Sequence, residues 1–354
     1  MRRPLLALML AFLLLPGTAE ARRLETTPAR GFATVLARAE PGDTIVLAPG
    51  TYRESELQVR DDDLRILATG ATLAGPGHGT GLTLAGHDGV RIAGLRVRGF
   101  GWGIFIDSGR GLTLRRVVAR DNEVGLRATE ESSGGRVSGL TLRRSSLSHN
   151  QLLGFDCTPG PCDNTSIIAS RFVGNGIGDD TAADGIGFEP GSRGVLVRRS
   201  LAADNAGDGF DFKAAAVRIA RSRSIGNVRN GIKLWGGGAV VNSLVAESGQ
   251  AGLVLTAVSG QPSFRVVNST FTANGIDSGD YGEVVGYEGE GLELLLRNNI
   301  FALNNSAVFL GPEVKLSEDH NLYFNPNRDY EIQFEFPEFT SLCPKTGRMY
   351  EACP

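Results

Sequence analysis

One short pattern returns along most of this chain: an alternating apolar strand, a small or polar turn, then asparagine. It reads Gly111-Leu-Thr-Leu-Arg-Arg-Val-Val-Ala-Arg-Asp-Asn122, then Gly139-Leu-Thr-Leu-Arg-Arg-Ser-Ser-Leu-Ser-His-Asn150, then Gly194-Val-Leu-Val-Arg-Arg-Ser-Leu-Ala-Ala-Asp-Asn205. It closes again at Asn175, Asn227, Asn274 and Asn304, so successive closings lie 22 to 30 residues apart except for one interval of 47. That interval holds a further turn, Gly238 to Gly249, whose closing asparagine is replaced. A period of this length specifies a solenoid, in which no repeat can bury its apolar face without its neighbours. Each repeat also carries a second strand led by glycine, at Gly125-Leu126, Gly154-Phe155, Gly185-Ile186, Gly209-Phe210, Gly231-Ile232 and Gly252-Leu253. Strands this short, with no helical period between them, cannot be the crossovers of an α/β sheet.

The expected fold is all-β, a single-stranded parallel β-helix. Stacking sets equivalent strands about 4.8 Å apart and buries their alternate apolar residues in one continuous core. Of 354 residues, 48 are glycine, about twice the ordinary share of ~7%. The surplus fits corners that need left-handed or sharply turned backbone, and stacked asparagine amides would hydrogen-bond from rung to rung. Helical spacing in Ala29-Arg-Gly-Phe-Ala-Thr-Val-Leu-Ala-Arg-Ala39 predicts an N-terminal cap over about 28–40, covering an edge that would otherwise invite aggregation. The β-helix is expected over residues 22–325, with 326–354 as a C-terminal cap or tail.

Residues 1–21 read as a secretory signal, with Arg2 and Arg3 before the apolar Leu5 to Leu15 and cleavage after Ala21. That apolar run is too short for a membrane span, which needs about 20 residues, so a periplasmic or secreted product is expected. Four cysteines suit an oxidising compartment. The simplest of three pairings joins Cys157 to Cys162 and Cys343 to Cys353. A formal net charge of -3 offers no basic field for nucleic acid, and a monomer is expected.

Aligning the glycine-led strands assigns faces by the two-residue period. Phe155, Ile186, Phe210, Ile232 and Leu253 point inward, as do Cys157, Phe188, Phe212, Leu234 and Leu255. One outward column reads Asp156, Gly187, Asp211, Lys233, Val254, and the next reads Thr158, Glu189, Lys213, Trp235, Thr256. At the corner before each glycine stand Leu153, Asp184, Asp208, Asn230 and Ala251, and the loop ahead of Asp184 adds Asp179 and Asp180. Clustered hard oxygens of irregular geometry suit Ca²⁺, and Asp179, Asp180, Asp184 and Asp208 are the expected ligands. Asp211, Glu189, Lys233 and Trp235 share this wall and are expected to meet what it binds, Lys233 by pairing with a carboxylate and Trp235 by stacking on a ring. The plainer alternative is that the aspartates serve the turns and pair with lysines across rungs.

The stretch from Ala29 to Tyr52, with the repeats from about 40 to 325, resembles the right-handed parallel β-helix proteins of the pectate-lyase superfamily. More narrowly, Asp179-Asp-Thr-Ala-Ala-Asp-Gly-Ile-Gly-Phe188, Asn205-Ala-Gly-Asp-Gly-Phe-Asp-Phe-Lys213 and Arg229-Asn-Gly-Ile-Lys-Leu-Trp-Gly-Gly237 resemble three successive coils of the family 9 polysaccharide lyases. The resemblance implies a right-handed coil and calcium-dependent β-elimination on an acidic polysaccharide such as pectate. It implies Asp184 and Asp208 as calcium ligands and Lys213 as the base. This chain departs from that family at Glu189-Pro190, where a lysine is usual. Two other readings stay open: a non-catalytic glycan-binding or envelope scaffold, and a glycoside hydrolase using paired carboxylates.

Overall fold

A computed structural model describes residues 21–129, 134–176, 183–257, 260–275, 282–286, 291–303, 306–311 and 313–324, with the backbone of 332–334. The expected signal segment through residue 20, Asp179, Asp180, Cys343 and Cys353 lie outside the described residues.

Every strand pairing between rungs is parallel and joins residues 21 to 31 positions apart, as Leu126 with Phe155 and Phe155 with Ile186. The coil has three sides. The glycine-led strands, among them Phe155–Cys157 and Ile186–Phe188, form one side, and strands such as Thr141–Arg143 and Ser166–Ile168 form the second. The third is a sheet of 12 strands running from Gly50–Tyr52 to Leu322–Phe324. Phe210–Ala220 and Ile232–Val241 run through the corner between the first two sides without a break. Beneath the first side the core stacks aromatic rings, with Phe188 edge-on to Phe155 at 5.0 Å and to Phe212 at 5.3 Å. The inward columns expected from the sequence are all buried, from Phe155 through Leu255. Parallel pairing continues past residue 325, where Ile332–Phe334 lies against Val308–Leu310.

Two side-chain ladders run along much of the stack. In the first, Asn150 donates its backbone N–H and Nδ2–H to Oδ1 of Asn175, which donates in the same way to Asn205, and so on to Asn227. The second was not expected from the sequence. The backbone N–H of Ser145 donates to Oγ of Ser170, and the relay continues through Ser200, Ser222, Ser243 and Ser269 to Asn299 and Asn321.

The glycine surplus has two causes. Left-handed backbone falls on glycine where the repeats open, at Gly111, Gly139 and Gly194, as expected, while at the corner between the second and third sides Gly94 shares that conformation with Arg116, Arg144 and Arg199. The strand-leading Gly154 is required by crowding: a Cβ there would sit 2.6 Å from the carbonyl oxygen of Gly185 and 2.7 Å from that of Leu147. Its neighbours in the column meet the next rung at the same distance, beside the asparagine ladder.

The capping helix is shorter than expected, Phe32–Leu36, because Gly31 at φ 83° turns the chain and Glu54 takes the freed N–H groups of Phe32 and Ala33. Phe32, Val35 and Leu36 are buried on the first rung. Beside it, Arg23–Thr26 pairs in parallel with Thr44–Leu47, an edge strand the sequence did not signal. Asp43, 2% exposed, ties this end together. It accepts from the backbone N–H groups of Arg22 at 2.8 Å and Glu40 at 2.9 Å and from the Arg22 guanidinium at 2.7 Å. The Arg22 hydrogen bond holds the Asp43 carboxyl below its ordinary value of 3.8. A depressed carboxyl stabilises the fold above its ordinary pKa and loses that contribution as pH falls through the folded value. Asp43→Asn should therefore melt below wild type at neutral pH, with the gap in Tm closing as pH falls below 3.8. A gap independent of pH would contradict this.

Candidate active site

The outward columns stack in the expected register. Arg127 pairs with Asp156, Asp156 with Gly187, Gly187 with Asp211, Asp211 with Lys233, and Lys233 with Val254. Gly187 contributes no side chain, so the wall is recessed there, between Asp156 and Asp211. The recess opens a cleft of about 330 Å³ lined by Asp184, Asp208, Asp211, Lys213, Lys233 and Arg127, with Asp156, Glu189 and Arg229 among the remaining lining residues. That volume is at the lower end of small-ligand sites.

Asp184 and Asp208 divide their oxygens between scaffold and cleft. Oδ1 of Asp184 accepts the backbone N–H of Asp208 at 2.6 Å, and Oδ1 of Asp208 accepts the N–H and Nδ2–H of Asn230, both at 2.8 Å. Oδ1 of Asn230 in turn accepts the N–H of Ala251. The corner column is thus a third ladder, which is the plainer reading of these aspartates. In the cleft, Oδ2 of Asp208 meets Lys233 Nζ at 3.0 Å, and Oδ2 of Asp211 meets the same ammonium at 3.1 Å. Asp184, Asp208 and Asp211 each bring an oxygen within 4.8 Å of the others.

Three carboxylates this close, deep in the wall, repel one another. Burial pushes the Asp184 carboxyl well above its ordinary value, and the charges of Asp208 and Asp211 add to that. Burial also raises Asp211, against the pull of Lys233. Burial alone would lower the Lys233 ammonium, but Asp211 and Asp208 outweigh it and hold it above its ordinary value. Oδ1 of Asp211 is buried with no hydrogen-bond partner. A trio with one contacting cation and one unpartnered oxygen is a donor set that fits a further positive charge, and all-oxygen donors suit Ca²⁺.

The other expected residues divide. Lys213 turns its ammonium to Glu189 across one rung, so Glu189 is an ion-pair partner before it is a substrate contact. Lys213 and Lys233 both lie over the Trp235 ring, at 5.4 and 5.5 Å from its centroid. Asp211, expected only to meet the substrate, belongs with Asp184 and Asp208. Cys157 and Cys162 form the expected disulfide. Sequence reasoning missed Arg127, whose guanidinium pairs with Asp156 and lies 5.6 Å from the Trp102 ring centroid. Its only signal was its place in the column, one rung before Asp156.

A family profile described as "Right handed beta helix region" matches residues 102–306. Among solved structures, the chain is similar to pectate lyase Pel9A, with a TM-score of 0.50 and 18% identity over 86% of this chain and 80% of that one. It is similar to the alginate lyase of Paenibacillus sp. str. FPU-7, with a TM-score of 0.53 and 16% identity over 85% and 99%. The A-module of the Azotobacter vinelandii mannuronan C-5 epimerase AlgE6 gives a TM-score of 0.56 and 15% identity over 83% and 86%. At these identities the likeness is one of fold. A NADPH-dependent 7-cyano-7-deazaguanine reductase of Bacillus cytotoxicus (strain DSM 22905 / CIP 110041 / 391-98 / NVH 391-98) is 57% identical over 37 residues, 10% of this chain, so the chain spans 21% of that curated relative's length. No helix among the described residues is long and apolar enough to cross a membrane.

Proposed function

The chain belongs to the right-handed β-helix family, and on that premise we propose that it is a calcium-dependent lyase cleaving an acidic, uronate-containing polysaccharide by β-elimination. One observation carries the reading: an ammonium in contact with two of three clustered carboxylates, at the floor of a cleft on the outer wall. The structural neighbours named as pectate lyase and alginate lyase support the substrate class.

Calcium held by Asp184, Asp208 and Asp211 would neutralise a uronate carboxylate and so acidify the C5 proton beside it. Lys233 is the group set to remove that proton. The C5–H electrons form the C4=C5 double bond, the C4–O bond breaks, and the departing oxygen takes a proton from solvent. An ammonium is no base, and the charges of Asp208 and Asp211 keep Lys233 protonated. Offsetting those charges releases it. The resemblance placed the base on Lys213, but that ammonium faces Glu189 while Lys233 faces the carboxylates, so we assign Lys233 as the base and Lys213 to holding the sugar chain. A retaining or inverting hydrolase wants two carboxyl groups roughly 5 to 9.5 Å apart; single oxygens of the trio lie within 4.8 Å of one another, so the product formed, rather than the spacing, separates the two reactions.

We place the protein outside the cytoplasm, on its signal-like first 21 residues and on the disulfide. Cleavage after Ala21 would make the Arg22 nitrogen an ammonium, 2.8 Å from Asp43 Oδ1.

Incubation with polygalacturonate or alginate should produce an ultraviolet-absorbing unsaturated product, at a rate that rises with added Ca²⁺ and collapses with chelator. New reducing ends without that absorbance would replace the lyase with a hydrolase. Polymer retention without cleavage would leave a binding module.

A further inference from the structure

The recognition surface does not end at the carboxylate trio. Three rungs toward the N-terminus, on the same outward column, Arg127 stands roughly 14 Å from Asp211 by strand spacing. Asp156 Oδ2 accepts from its Nη1, and Thr158 Oγ1 donates to Asp156 Oδ1 at 2.6 Å, so the carboxylate is itself anchored. The guanidinium rests on Trp102, which packs against Phe105 with ring centroids 4.9 Å apart. Its side chain is 21% exposed and lines the same cleft as the trio. The recess at Gly187 joins the two ends, and a Cβ there would come within 3.0 Å of Leu153 Cδ2.

A guanidinium has five N–H donors in a planar fork that matches a carboxylate. Asp156 takes one of them, and Nε–H is buried without a partner. The remaining N–H groups of the fork are left over on a side chain that faces the cleft. The Trp102 ring beneath the guanidinium holds its plane in place by a cation–π contact.

We propose that Arg127, held by Asp156 and seated on Trp102, is a second anion-recognition site that takes the carboxylate of a further uronate unit of the same polymer. It makes the protein selective for chains carrying successive charged units over neutral glycans and over single sugars. The inference rests on the reading of a polyuronate ligand but not on its cleavage.

The chain has two tryptophans, Trp102 beneath Arg127 and Trp235 beneath Lys213 and Lys233. In full-length Trp235→Phe protein, Trp102 is the only tryptophan left to report binding. Titration with tetragalacturonate, and with a tetramer from alginate, should change its emission. Galacturonic acid and the neutral maltotetraose should leave it unchanged. Adding Arg127→Gln should weaken tetramer binding roughly 10- to 100-fold, the loss expected on truncating a charged hydrogen-bonding pair. Arg127→Lys keeps the charge without the fork and should fall between, which separates recognition from any loss of folding in the glutamine variant. Equal tetramer affinity in Arg127→Gln, a silent Trp102 on tetramer binding, or equal affinity for maltotetraose would each overturn the proposal. Tetramer binding that depends on Arg127, with no unsaturated product from the protein that keeps Trp235, would uphold it and reject the lyase. No binding of any oligouronate would reject both.

Discussion

Lys233→Arg should abolish polymer cleavage, lowering kcat by about 10² to 10⁴, the range contributed by a positioned proton-transfer group, while leaving the protein folded. Arginine preserves the positive charge between Asp208 and Asp211 but does not give up its proton under working conditions. A base is lost and a counterion kept. Lys233→Ala should lose as much activity and should also destabilise, since Asp208 is 1% exposed at its side chain and would keep a buried charge with its cation gone. Breaking a buried pair in this way typically costs about 3–5 kcal/mol, and Ca²⁺ should restore part of the lost Tm if the trio binds it. Lys213→Ala provides the contrast. Its ammonium pairs with Glu189, 36% exposed at its side chain, so its removal should raise KM more than it lowers kcat. If Lys233→Arg cleaves at the wild-type rate while Lys213→Ala is dead, the base belongs on Lys213 and the contact with Asp208 and Asp211 is an ion pair of the ladder.

Why the two lysines were hard to tell apart in the sequence is a matter of reach. The period of two placed Lys213 and Lys233 on the outer wall, and the glycine alignment put Asp211 beside Lys233 in the correct register. What an alternating pattern does not carry is where a four-carbon side chain ends. Lys213 bends one rung back to Glu189, while Lys233 bends toward its own preceding rung and reaches the corner column as well. The grouping of Asp211 with Asp184 depends on the same depth, because the two belong to different columns in the sequence. Arg127 falls opposite Asp156 by the same glycine alignment, Gly125-Leu126-Arg127 against Gly154-Phe155-Asp156; what the pattern does not carry is its ion pair with Asp156 and its seat on Trp102. The serine ladder was hidden for another reason: serine is common in any turn, and nothing in its spacing separates a relay acceptor from a solvated hydroxyl. Asparagine is rarer and its amide can both accept and donate, so its recurrence was informative where that of serine was not.

Asn175→Ala should be among the most destabilising single changes in the chain, because it interrupts a relay that has no water to fall back on. The Asn175 side chain is 1% exposed. Its Oδ1 accepts two N–H groups of Asn150, at 3.1 and 3.0 Å, and its Nδ2 donates to the Leu147 carbonyl at 3.2 Å and to Oδ1 of Asn205 at 2.9 Å. Alanine removes both halves. Two donors on Asn150 are left without an acceptor, and two carbonyl oxygens lose a donor, each with a desolvation penalty of about 1–3 kcal/mol when unmet. Carbonyls with a second partner fall at the low end, so a total of about 4 kcal/mol is expected, a large part of the 5–15 kcal/mol that holds an ordinary domain. In a solenoid each rung leans only on its neighbours, so the loss should divide the stack locally. Amide exchange should accelerate first at the rungs holding Asn150 and Asn205, ahead of the capping helix. Asn175→Ser should not restore the relay, since at the equivalent Ser248 the hydroxyl is buried with no hydrogen-bond partner. Unfolding within 1 kcal/mol of wild type for Asn175→Ala would mean that the backbone pairing alone holds the rungs together, and that the asparagine column follows from turn preference rather than from the relay.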